Sequence, residues 1–66
     1  NIGRIQQVIN VAQKTKRKVV FVGYSILRKS EIAHQMGYLK YNRKIVTDAR
    51  KARRLPNNKI IYINLK

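Results

Sequence analysis

Sixteen lysines and arginines stand against two carboxylates, Glu31 and Asp48, in a chain of 66 residues, a formal net charge of +14. A free monomer so charged repels itself and needs an anionic counterpart. Nucleic acid is the commonest; an acidic membrane surface and a polyanionic protein are the others. A merely solvated basic surface normally has acidic residues interspersed, and here they are almost absent. The cations also cluster. Lys16, Arg17 and Lys18 are consecutive, Lys40, Arg43 and Lys44 flank Tyr38 and Tyr41, and Arg50, Lys51, Arg53 and Arg54 crowd together. Cations alternating with aromatic rings suit phosphate contact combined with base stacking. The plainer alternatives are a solvated face for the arginine cluster and a packing role for Tyr38 after a helix-ending glycine.

Catalytic chemistry is harder to find. His34 is the single histidine, and Glu31 is the only carboxylate near it. That pair cannot build a zinc site, which needs three or four protein ligands. No nucleophile, base and orienting group come together in the sequence for covalent catalysis. The Gly-x-Gly-x-x-Gly pattern of dinucleotide sites is absent. From its own residues this chain is expected to have no catalytic centre, no metal and no nucleotide cofactor. One loop retains a chemical reading: Gly23-Tyr24-Ser25 falls between an apolar run and a helical pattern. There the free amides and dipole of a helix N-terminus favour a phosphate. Its structural alternative is simple: Gly23 makes the turn and Ser25 caps the helix.

The elements that must position these residues follow from periodicity. Ile2, Ile5, Val8, Ile9 and Ala12 fall at helical spacing and predict an amphipathic helix over residues 2–14. Val19-Val20-Phe21-Val22 is a continuous apolar run, the mark of a strand buried on both faces. A second helix is expected from Ile26 to Met36, with Ser25 as N-cap and Gly37 as left-handed stop. Its stripe would be Ile26, Lys29, Ala33 and Met36, with Ile32 beside it. Tyr38 to Arg43 reads as a loop and Ile45-Val46 as a short strand. Asp48 is placed to cap a brief helix, Ala49 to Leu55, which Pro56 and Asn57-Asn58 end. Lys59 to Leu65 is the second good strand. The order α-β-α-(short β/helix)-β implies an α/β unit with a parallel strand pair joined by a right-handed crossover.

Size sets the limits. A chain of 66 residues permits one small domain, and such a domain buries only about 60% of its unfolded surface. Two parallel strands buried on both faces need neighbours, so the sheet is expected to be completed by further strands from a longer chain, another subunit or an assembly. No cysteine is present, which rules out disulfides and suits a reducing cytoplasm. No apolar run approaches the roughly 20 residues that span a bilayer, and no membrane partner is expected. The N-terminus lacks a signal-peptide layout and an initiating Met, so a fragment or processed form is expected.

Specific residues then carry a resemblance. Asn1-Ile2-Gly3-Arg4-Ile5-Gln6-Gln7-Val8-Ile9, Arg17-Lys18-Val19-Val20, Gly23, Ser25, Glu31-Ile32-Ala33 and Gly37-Tyr38-Leu39 resemble a stretch of bacterial ribonuclease J. Leu55-Pro56, Lys59 and the run Ile60 to Ile63 continue in register. The stretch lies in the β-CASP domain, the Rossmann-like insertion in the metallo-β-lactamase fold of these nucleases. The resemblance implies a cytoplasmic, oligomeric parent that acts on RNA with two zinc ions, as 5′-exonuclease and endonuclease. Its metal ligands would come mainly from a His-x-His-x-Asp-His motif that this chain does not contain. What remains is an RNA-gripping β-CASP segment without the chemistry, the partial Rossmann-like unit expected over residues 1–66. The alternative is a stand-alone basic RNA-binding protein held in an RNA-rich assembly such as a ribosome. The family usually reads Gly-Arg-Ser where this chain has Gly23-Tyr24-Ser25, and its second strand usually runs into a Thr-Gly pair followed by Gln-Gly-Glu-Pro, whereas here the strand ends Asn64-Leu65-Lys66.

Overall fold

The computed structural model describes residues 2–64. Helix α1 spans Ile2–Lys14 and buries Ile5, Ile9 and Ala12, the stripe its periodicity predicts. Strand β1 covers Lys18–Val22, helix α2 Tyr24–Gln35, helix α3 Ala49–Ala52 and strand β2 Ile60–Asn64. Short 3-10 turns at Arg43–Ile45 and Asn57–Lys59 fill the connections. The expected second strand is therefore present to Asn64, and Leu65 lies outside the described residues.

The two strands pair in parallel, with Lys18 opposite Ile60, Val20 opposite Tyr62 and Val22 opposite Asn64. Alternation then sorts the side chains. Val19, Phe21 and Ile63 face α1 and α2 and form one core with Ile5, Ile9, Ile26, Ala33 and Leu39. Val20 and Ile60 turn to the other face and meet Ala52 of α3, with Leu55 alongside. Helices thus lie on both faces of the sheet, the arrangement of a Rossmann-like α/β unit. Ile45-Val46 does not form a full strand. Residues 43–45 coil into a 3-10 turn, and Val46 alone makes a parallel bridge to Val19.

Both long helices end in the same hydrogen-bonded motif. In α2 the Gly37 N–H donates to the His34 carbonyl at 3.1 Å and the Tyr38 N–H to that of Ala33 at 2.9 Å. Gly37 takes φ +85°, the left-handed stop expected of it. In α1 the Lys16 N–H donates to Gln13 at 3.3 Å and the Arg17 N–H to Ala12 at 2.8 Å. Here a lysine holds the left-handed position, at φ 57°. A side chain there costs about 1 kcal/mol relative to glycine.

The start and the buried stripe of α2 differ from expectation. The helix begins at Tyr24, its N-cap is Gly23 at φ 109°, and no side chain caps it. Ser25 is therefore inside the first turn. A glycine at positive φ leads the chain directly from β1 into the helix and leaves no room for a separate capping residue. The buried stripe is Ile26, Ser30 and Ala33, whereas Lys29, Ile32 and Met36 are exposed; docking through Ser30 leaves the Lys29 charge in water. Helix α3 stops three residues earlier than Leu55, but Asp48 caps it as expected, its Oδ1 accepting the Lys51 N–H at 2.7 Å.

Candidate nucleic-acid interface

The cations that look like three runs in sequence are redistributed by the fold. The parallel pairing brings the amino ends of β1 and β2 together. Arg17 Nε donates to the Asn58 carbonyl at 2.8 Å, and the Lys18 ammonium donates to the carbonyl of Lys44. Lys16, Arg17 and Lys18 join Gln13 and Asn42 around an open hollow of about 380 Å³. The backbone of Lys44 is thereby tied to the amino end of β1. Arg17 spends one donor on Asn58 and has four more on its guanidinium.

Arg50, Lys51, Arg53 and Arg54 form the second group. All four are exposed, while Ala52 is buried among them. Docking of one small residue against the strands turns the four cations outward. On the same face Tyr62 is 53% exposed and Val22 40% exposed. Tyr62 is the register partner of Val20, which α3 covers. An accessible ring thus stands beside the arginine-rich helix. Tyr62 was not among the residues singled out from sequence. Its signal was the alternation of β2, which sends Ile61 and Ile63 to one face and Tyr62 to the other.

Lys40 and Arg43 go elsewhere. Gln6 of α1 clamps the backbone of Lys40, its Oε1 accepting the Lys40 N–H and its Nε2 donating to the Lys40 carbonyl, both at 2.7 Å. One helical heptad on, Gln13 Oε1 accepts the Asn42 N–H at 3.0 Å. Two glutamines on one face of α1 thus hold the tyrosine-containing loop. Of its tyrosines, Tyr38 is exposed, whereas Tyr41 is half-buried and stacks on His34 with centroids 4.0 Å apart. Burial, then the Glu31 charge, raises the Tyr41 phenol above its ordinary pKa, against a smaller lowering by Arg43. Arg43 lies by this pair.

Gly23-Tyr24-Ser25 sits at the carboxyl end of β1, and Tyr24 is 77% exposed. Chain leaving β1 passes over one face as α2, and chain leaving Val46 passes over the other as α3. The carboxyl side of this pair is therefore a topological switch, where open parallel sheets take ligands. The first amides of α2 have no side-chain cap there. The sequence-derived residues thus fall at the amino end, on the α3 face and at the switch loop, with Lys40 and Arg43 apart from all three. Among the described residues no three His, Cys, Asp or Glu side chains come together to hold a metal.

A basic α/β unit of Rossmann-like build, with cations on its rims and an open switch point, is the class of protein these features define. A family model described as "Ribonuclease J, beta-CASP domain" matches residues 1–65. The chain belongs to that family. It is 36% identical over 63 residues to Ribonuclease J of Mycolicibacterium smegmatis, covering 96% of this chain and 11% of that protein. The proteins named Ribonuclease J 2 of Staphylococcus saprophyticus and Staphylococcus aureus are 38% identical over the same length and cover 96% of this chain and 11% of theirs. The chain thus spans about a tenth of the length of the curated relatives it matches.

Proposed function

We propose that this chain is the RNA-gripping part of a zinc-dependent ribonuclease J-like enzyme of the metallo-β-lactamase superfamily. In this reading the parent is a cytoplasmic oligomer with exo- and endonuclease activity, and this segment is not catalytic by itself. The observation that carries the reading is the α3 face. Four outward cations beside an exposed tyrosine form a surface that attracts phosphate and offers a ring for base stacking. The amino-end cluster extends the positive field to the rim of the sheet, and the switch loop adds uncapped amides. Zinc does not fit this segment, which offers one histidine and two carboxylates. Its ligands would belong to other parts of the parent, and the work of these residues is to hold and orient the RNA backbone.

The test is the salt dependence of binding to single-stranded RNA of mixed sequence. Neutralising about five phosphates gives a log–log slope near −3.5. Replacing Arg50, Lys51, Arg53 and Arg54 together by alanine should make that slope shallower by about three. An unchanged slope in the quadruple variant, or no RNA binding by the parent chain, would remove α3 from the interface. Competition by mixed RNA separates RNA contact from binding to an acidic protein.

A further inference from the structure

The cationic rims are taken up by the reading above; a cavity beneath α2 is not. It has a volume of about 350 Å³ and opens between α2 and residues 41–46, within the usual size range of small-molecule sites. Phe21, Leu27 and Val46 give it an apolar floor, and Glu31, Gln35 and Arg43 stand around it. Phe21 belongs to β1 and Val46 to the bridge beside it, so the cavity adjoins the topological switch. The stacked rings of His34 and Tyr41 make one wall, 20° from parallel. His34 Nδ1 lies 2.9 Å from the Leu39 carbonyl oxygen. That oxygen only accepts, so Nδ1 carries the hydrogen and Nε2 of the neutral ring remains an acceptor.

The charge around this cavity differs from that of every other basic surface on the chain. Of the two carboxylates in the sequence, Asp48 is committed to the Lys51 amide. The other, Glu31, lines the cavity. Its contact with Arg28 is 3.8 Å long between side chains about half exposed, a weak pair in water. A carboxylate beside a cavity repels phosphate and calls for N–H donors. Arg43, on the same cavity, calls for acceptors.

Building on the RNA-binding reading, we infer that this cavity, with Arg43 on its lining, is a nucleobase subsite that selects guanine in the RNA bound by the chain. Guanine presents N1–H and N2–H side by side, a match for the two oxygens of one carboxylate, while its O6 and N7 accept from an arginine. Adenine and cytosine set an amine next to a bare ring nitrogen, and uracil sets one N–H between two carbonyls. Each would place an acceptor against Glu31. The apolar floor takes the flat ring.

The experiment compares two RNA oligonucleotides of equal length on the full natural chain that carries this segment: one all uridine, one with a single central guanosine. Fluorescence anisotropy should show the guanosine-containing strand binding about tenfold tighter. Glu31→Gln should bring that ratio close to one, with an unchanged thermal midpoint showing that the fold is intact. The His34 and Tyr41 ring resonances should also move with guanosine monophosphate and not with uridine monophosphate. Equal affinity for the two strands overturns the guanine site and leaves the RNA reading standing. So does a preference that survives Glu31→Gln. Failure of both strands to bind sinks the RNA reading itself.

Discussion

The two faces of the sheet are built to different standards. One is closed by two helices of 13 and 12 residues, with Ile9, Ala12, Val19 and Leu39 wholly excluded from solvent. The other has a single four-residue helix, and beyond it Val22 and Tyr62 remain open. Stability therefore resides on the α1–α2 face, whereas the α3 face carries cations, an accessible ring and room for a partner.

This asymmetry can be broken most severely at Leu39, which is fully buried although it sits in a loop. Leu39→Ala should cost about 3 kcal/mol, enough to unfold much of so small a domain. Leu55→Ala, at a half-buried site on the α3 face, should cost about 1 kcal/mol. Urea unfolding followed by circular dichroism measures both, and equal losses would mean that the two faces contribute alike. Tyr62→Ala tests the open face by function. It should weaken single-stranded RNA binding by about 2 kcal/mol through lost stacking, while the exposed site leaves the unfolding midpoint nearly unchanged. A variant that melts early but binds RNA normally would make Tyr62 a structural residue instead.

The smallest effects lie at the two helix ends, which share one motif and differ in one residue. Gly37→Ala should destabilise by about 1 kcal/mol, because a side chain is forced into the left-handed region. Lys16→Gly should do the reverse by a similar amount. The same substitution removes a charge from the amino-end hollow and should make the RNA salt slope shallower by about 0.7. A gain in stability coupled to a loss in binding would show strain kept for function. Stabilisation with unaltered RNA binding would take Lys16 out of the interface.

Much of this fold was legible residue by residue. The spacing of Ile5, Ile9 and Ala12 places α1, the apolar runs place both strands, and Gly37 and Asp48 mark a helix stop and a helix start. These signals are local: a helix face repeats every 3.6 residues and a buried strand needs an unbroken apolar run. The errors also had local causes. Ser25 has the chemistry of a cap, but Gly23 reaches positive φ and starts the helix earlier; the face of α2 docked on the sheet runs through Ser30 and leaves Lys29 and Met36 in solvent. Ile45-Val46 has the apolar character of a strand, but only Val46 reaches β1.

The sequence by itself determined the charge, the parallel pair and the family resemblance, because composition and short-range periodicity need no partner. Only the tertiary structure decided which cations stand together. Lys18 reaches the backbone of Lys44, Arg43 meets Glu31 and Tyr41, and Tyr62 emerges beside α3. Those groupings depend on strand register and on Gln6 and Gln13 holding a loop 29 to 34 residues away. Such contacts are set by packing between distant segments, and local spacing carries no record of them.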